Sequence, residues 1–326
     1  VRAPLVAPLL ALLGPTASGK TEASIGVATA VGAEIVVVDS MLVYRGMDAG
    51  TAKPTREQQG RARHHLLDLL DPFEPFSVSS FQSLARRAIT TIVERDRRPL
   101  LVGGGGLYYR AIVDELEFPG TDPSVRGLLE AEGLAVGPAR LLGRLKKVDP
   151  AAAARIEGGN LRRTIRALEV AGVTGRPFSS FARAWGRYPP GAVRAAGVDM
   201  PREALHRRIE RRVEAILPGL LGETAALLER GFGGPLTSSQ AIGYAEAAAC
   251  LRGELSQDEA VMRTVRRTKA LARRQLSWLR RDPRIRWFPA GEEGAGEVIP
   301  ALVQYLGSER AGAARDAYGR SSPMEA

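Results

Sequence analysis

Gly14-Pro15-Thr16-Ala17-Ser18-Gly19-Lys20-Thr21 reads G-x-x-x-x-G-K-T, and the residues on either side suit that pattern. The apolar run Leu9–Leu13 before it is short enough for a buried strand. Residues 21–31 after it continue as a helix, with Ile25, Ala28 and Val31 spaced along one face. A loop of this kind wraps a polyphosphate in successive backbone N–H groups at a helix N-terminus, where the dipole favours anions. Gly14 and Gly19 permit the tight turn, Lys20 reaches the phosphates, and the Thr21 hydroxyl can hold Mg²⁺. The motif specifies a diphosphate or triphosphate with Mg²⁺. It does not specify ATP.

The 326 residues suffice for more than one minimal domain, and 44% apolar composition allows a sizeable core. The charge is less ordinary: 46 Lys and Arg against 36 Asp and Glu leave +10, a footprint of nucleic-acid or acidic-ligand binding. A generally Arg-rich composition is the plainer explanation. The single cysteine, Cys250, excludes an internal disulfide framework and a Cys-based zinc site, and its Ala-rich surroundings suggest a small buried side chain. Three histidines are too few for a convincing metal site. The apolar N-terminus runs straight into the phosphate loop, so it reads as the first strand and not as a leader. No stretch has the length of a membrane span. A cytoplasmic monomer is the expectation.

Further along, Glu34-Ile-Val-Val-Val-Asp39 is a β-branched run with a carboxylate at its end, the end at which open α/β sheets bind ligands. Asp39 suits either a magnesium ligand or a general base, and spacing alone does not choose. Residues 41–54 are punctuated by Gly and Pro and read as a loop over the site. His64-His65 opens another apolar run; packing or hydrogen bonding suits the pair better than a metal. Ser77–Ser80 offers caps for a helix over 81–93, and Pro99–Val102 is a third strand leading into Gly103-Gly-Gly-Gly106, where backbone packs closely on a ligand or on the first loop.

From about Pro119 the pattern changes to successive amphipathic helices with no strand, a helical insertion. Arg162 and Arg166 share one helical face there, solvated or set against phosphates. Val193–Met200 returns as a strand, and the following helix sets Arg208 and Arg212 one turn apart, suited to a second clamp on an anion. Residues 263–286 hold ten Lys or Arg and one acid, Asp282. A face so uniformly charged repels itself unless phosphates meet it, which favours nucleic acid. The fold expected is α/β, a P-loop NTPase-like parallel sheet with a helical insertion. Its core occupies 1–120 and 191–306, its insertion 121–190, and 307–326 form a disordered tail.

Several pieces in this order resemble the bacterial tRNA dimethylallyltransferases to about residue 290. They are Gly14–Thr21, Asp39-Ser40, Tyr44–Asp48, Gly50–Pro54, His64–Leu66, Gly103-Gly104 with Gly106–Tyr108, Arg162–Glu169, Arg208–Arg212, Gln240–Tyr244, and Arg273-Arg274-Gln275 with Trp278. The resemblance implies transfer of a dimethylallyl group from its diphosphate to the exocyclic amine of an adenosine beside the anticodon, with the insertion gripping the anticodon stem-loop. It implies that Asp39 accepts the amine proton. Lys20, Thr21-bound Mg²⁺ and Arg208 would neutralise the leaving diphosphate. The adenine would flip into a pocket of Asp39, Ser40, Met41 and Leu42, faced by Gly105. Arg126 and Arg162, Arg163, Thr164, Ile165 and Arg166 would contact tRNA.

The chain departs from that pattern. Leu42 replaces a residue that is usually Gln, and Gly105 replaces a Thr whose hydrogen bond to a charged group would be worth about 1.5–3 kcal/mol. Glu157–Asn160 and Ala245 also differ, and the segment after Ile216 is one residue short. Three other functions compete: a P-loop small-molecule kinase, an adenylate isopentenyltransferase acting on free AMP or ADP, and a non-catalytic RNA-binding protein.

Overall fold

The computed structural model describes residues 9–308 except 115 and 235, and it leaves out the side chain of residue 183. The tail expected to be disordered lies, beyond residue 308, outside the described residues. The chain begins with Leu9–Leu13 (β1), Lys20–Val31 (α1), Ala33–Val38 (β2), Arg56–Arg61 (α2), His64–His65 (β3), Val78–Glu94 (α3), Arg98–Gly103 (β4) and Gly106–Val113 (α4). Pro123–Val136 (α5), Pro138–Val148 (α6), Pro150–Ala153 (α7) and Leu161–Thr174 (α8) follow. Val193–Asp199 (β5), Arg202–Glu229 (α9), Tyr244–Leu251 (α10), Gln257–Leu279 (α11), Ile285–Pro289 (β6) and Ile299–Gly307 (α12) complete it. The chain is a parallel-sheet core with a helical insertion. The residues up to Val113 and from Pro190 onward form one compact unit, and Asp114–Pro189 form a second.

In the first unit six parallel strands lie in the order β3-β2-β4-β1-β5-β6. β1 and β2 are buried at every residue, which explains why neither alternates: β1 is wholly apolar, and β2 is apolar but for Glu34. β1 lies between β4 and β5. The chain leaves it towards β2 on one side and returns as β5 on the other, so the strand order reverses at its carboxyl end. That reversal opens a crevice where the phosphate loop emerges.

The short strand β3 was not anticipated. Its two histidines continue the sheet beyond β2, where His65 Nε2 lies 2.6 Å from the buried Glu34 carboxylate that Arg95 also holds. His64 Nδ1 sits 2.7 Å from the Ala62 carbonyl. Cys250 corrects another expectation, being half-buried near the end of α10.

Gly103 draws the carboxyl ends of the central strands together. It pairs with Leu13 on one side and Val38 on the other, and the Gly14 N–H donates to its carbonyl at 3.2 Å. A Cβ there would stand 2.1 Å from the Val38 carbonyl oxygen.

The second unit is a helical cluster whose core includes Leu129, Leu141, Leu145, Ile156, Ile165 and Leu168. Asp122, Asp149 and Asn160 cap α5, α7 and α8 with their side chains. Glu169 is fully buried and accepts from Arg126 at 2.8 Å, Arg166 at 2.9 Å and the Asp122 N–H at 3.0 Å. Burial pushes its carboxyl up, but these donors prevail and hold it below the ordinary carboxylate range. Arg166 also donates to the carbonyls of Pro119 and Gly120. Four of the residues read as RNA contacts therefore have internal work. Thr164 and Ile165 are buried in the cluster, because their helix turns that face inward, and Arg126 and Arg166 neutralise Glu169. Arg162 and Arg163 are exposed.

The Gly103→Ala variant is expected to lose about 3 kcal/mol, since the obstruction is backbone and cannot swing aside. Thermal unfolding read by circular dichroism should show a midpoint lower by roughly 5 °C or more.

Candidate active site

The phosphate loop leaves β1 in a conformation that its sequence only partly explains. Gly19 lies at φ +83°, where glycine carries no penalty, but Ala17 also adopts φ +64°. A non-glycine residue in that region costs free energy unless its surroundings hold it. Three consecutive residues are held. The Thr16 N–H donates to Gln275 Oε1 at 2.8 Å, Arg208 Nε donates to the Ala17 carbonyl at 2.8 Å, and the Ala295 N–H donates to the Ser18 carbonyl at 2.8 Å. Arg212 adds a bond to the Thr16 hydroxyl at 3.3 Å. No side chain caps α1, so its first amides remain directed at whatever anion the loop receives.

A cavity of about 500 Å³ opens over Thr16–Thr21 and is walled by Asp39, Leu42, His64, Arg208, Arg211 and Arg212. Gly14 and Pro15, expected to bind diphosphate, do not line it. Gly14 turns the chain against Val198, and the Pro15 carbonyl accepts from Lys20 Nζ. A second cavity of about 580 Å³ is lined by Ser40, Met41, Gly105, Tyr108, Gln240 and Trp278, among others. Thr16, Asp39, Leu42, Thr51, Gly104, Arg212 and Gln275 border both. Asp39 thus stands where an anion chamber meets a larger, more apolar one.

The electrostatics of that junction are uneven. Burial and the Arg212 charge pull the Lys20 ammonium down to about 7, against the opposing attraction of Asp39. Burial pushes the Asp39 carboxyl up, opposed by the Met41 N–H, Lys20, Arg212 and the Leu42 N–H. The Met41 N–H donates to Asp39 Oδ1 at 2.8 Å and aims the carboxylate. Tyr108, hydrogen-bonded to Ser40, is raised by burial and by Asp39 nearby.

The four glycines after β4 divide their duties. Cβ atoms at Gly104 and Gly106 would meet Gln275 and Trp278 under 3.0 Å, whereas at Gly105 the nearest atom would be Tyr108 Cδ2 at 3.3 Å. Gly105, which lines the second cavity, is the least crowded of these three.

α11 corrects the argument from self-repulsion. Arg267 pairs with Glu246, Lys269 with Glu210, and Arg280 with Asp199, all from other elements, while Arg284 pairs with Asp282. These acids lie 21, 59 and 81 positions from their partners on α11 and at its C-cap, so no local window could have shown them. Arg263, Arg266, Arg273, Arg274 and Arg281 remain exposed. Sequence reasoning saw Gln275 only as part of a motif, although an amide inside a run of arginines was a usable signal.

Among the described residues no group of three His, Cys, Asp or Glu gathers that could hold a metal. Mg²⁺ usually keeps several waters and takes substrate phosphates as ligands, so the Thr21 hydroxyl at the cavity wall fits that donor set. No helix among the described residues is long and apolar enough to cross a membrane.

The sequence profile of the IPP transferases matches residues 42–282, and that of the isopentenyl transferases matches residues 7–70. A tRNA dimethylallyltransferase of Salinispora arenicola is 48% identical over 90% of this chain and 85% of its own length. The crystal structure of a tRNA isopentenylpyrophosphate transferase from Bacillus halodurans superposes with a TM-score of 0.66 at 39% identity, covering 92% of this chain and 95% of that one. A eukaryotic dimethylallyltransferase acting on tRNA shares the fold, with a TM-score of 0.72 at 23% identity over 87% of this chain and 74% of that one. With the loop, the strand-end carboxylate and the two joined cavities in place, these matches show that the chain belongs to the IPP transferase family.

Proposed function

We propose that the chain transfers a dimethylallyl group from dimethylallyl diphosphate to the exocyclic amine of the adenosine 3′ of the anticodon in tRNA, releasing diphosphate. The observation that carries this reading is the position of Asp39, shared by the phosphate-loop cavity and the larger chamber beside it. The diphosphate occupies the first cavity, against Thr16–Thr21 and Arg208. The flipped adenine occupies the second, beside Ser40, Met41, Leu42 and Gly105.

The amine nitrogen attacks the allylic carbon, the carbon–oxygen bond breaks, and its electron pair leaves with the diphosphate. Lys20 and Arg208 meet the charge that accumulates on the departing oxygens, an interaction that strengthens as the bond lengthens. Asp39 accepts the proton lost from nitrogen. Its raised pKa makes it a stronger base than an exposed aspartate, and such help is typically worth about 10²–10⁴-fold in rate. Mg²⁺, held by the Thr21 hydroxyl and phosphate oxygens, would supply further neutralisation. Arg162 and Arg163 on α8 serve the RNA backbone of the anticodon stem-loop. Such a protein acts in the cytoplasm, where its RNA resides.

The deciding experiment is mass analysis of an anticodon stem-loop incubated with the protein, Mg²⁺ and dimethylallyl diphosphate. The RNA should gain the mass of one prenyl group. Unaltered RNA together with prenylated AMP would overturn the reading, as would phosphoryl transfer from ATP to a metabolite. Asp39→Asn should reduce transfer by roughly 10²-fold or more while tRNA affinity, measured by filter binding, stays within about twofold.

The lowered pKa of Lys20 sets a pH dependence. The ligand-free ammonium loses its proton as pH rises through about 7, and an arriving diphosphate favours the charged form. Binding of dimethylallyl diphosphate at pH 8 should therefore take up a proton, and affinity should fall as pH climbs above about 7. Calorimetry in two buffers of different ionisation enthalpy reads the uptake directly.

Replacing Arg163 by Gln should weaken tRNA binding uniformly and lower the slope of log affinity against log salt by about 1. An unchanged slope would make that helix face merely solvated.

A further inference from the structure

The phosphate loop is held by residues that arrive late in the chain, and one of them holds it through an uncharged side chain. Gln275 lies within α11, where its neighbours Arg273 and Arg274 are exposed to solvent. Its carboxamide oxygen takes the Thr16 amide at 2.8 Å. Its nitrogen lies so close to Gly104 that a Cβ there would stand 2.5 Å away. The side chain is therefore confined between the loop after β1 and the glycines after β4, and it borders both cavities.

A phosphate loop works through amides aimed at the anion. The Thr16 amide is engaged by a side chain, whereas the start of α1 has no side-chain cap. The loop thus divides into an anchored beginning and an uncapped end. Arg212 fastens the same residue through its hydroxyl, and Ala17, next along, carries the unfavourable positive φ. Without an anchor before it, Ala17 would relax towards ordinary backbone and turn the following amides away from the anion.

We propose that Gln275 is a positioning residue for the departing diphosphate: by holding the Thr16 amide it fixes the course of the loop over Ala17. The proposal deepens the transfer reading and rests on it for the identity of the anion. It assigns to the basic helix a task on the diphosphate side, separate from any contact that helix makes with RNA.

The test uses the full chain and the variant Gln275→Met, which keeps the length and removes the acceptor. Three quantities are compared with wild type: amide exchange of Thr16 by NMR, affinity for dimethylallyl diphosphate without RNA by calorimetry, and affinity for tRNA by filter binding. Loss of one net hydrogen bond corresponds to about two- to tenfold in an equilibrium constant. Thr16 should lose protection, and the Kd for dimethylallyl diphosphate should rise by about five- to tenfold while tRNA affinity holds. Gln275→Glu, which retains an acceptor oxygen, should restore protection of Thr16. Should the Met side chain crowd Gly104 and prevent folding, Gln275→Ala removes the same acceptor without crowding.

Unchanged affinity for dimethylallyl diphosphate overturns the proposal, and so does a loss confined to tRNA, which would place Gln275 on the RNA side. A wild-type protein that binds the diphosphate but modifies no RNA overturns the transfer reading alone. The loop assignment then stands on the exchange and affinity data.

Discussion

Two opposite charges, the Lys20 ammonium and the Asp39 carboxylate, stand half-buried on the wall of one cavity. Desolvation is the largest influence on each and outweighs their mutual attraction, since the lysine is pulled down and the aspartate pushed up. Removing an ion from water costs several kcal/mol even in a relaxed protein, so neither charge is fully compensated before a ligand arrives. In the proposed transfer, a diphosphate would complete the environment of Lys20, and the proton shed by the amine would neutralise Asp39.

The fold brings these groups together through backbone proximity. β1, β2 and β4 converge at Gly103, whose missing side chain lets Val38 and Gly14 approach it. The same convergence sets Asp39, the residue after Val38, beside the loop that follows Leu13. Support for the loop comes from the other end of the chain: Arg208 and Arg212 on α9, Gln275 on α11, and Ala295 in the turn Gly294–Val298. The loop near the amino terminus is therefore held only when the chain from Arg208 onward has folded around it.

The basic charge of the protein is likewise divided by tertiary structure. On α11 some cations meet acids from α9, α10 and β5, while others stay exposed and supply a long-range field for an anionic partner. In the helical insertion, Arg126 and Arg166 are committed to buried Glu169, and Arg162 and Arg163 are exposed.

The amino-acid sequence alone determined the phosphate loop, the buried strands, the carboxylate at the end of β2 and the helical texture after Pro119. Each is a local matter: glycine spacing, an unbroken β-branched run, or a helical period, all visible within a window of a few turns. It missed the two-residue strand of His64–His65 and did not show that Thr164 and Ile165 are buried. Only the tertiary structure decided those points, together with the anchoring of Thr16 by Gln275 and the pairing of Glu169. They depend on contacts between residues tens to hundreds of positions apart, and on which face of a helix is buried. Short-range patterns encode neither.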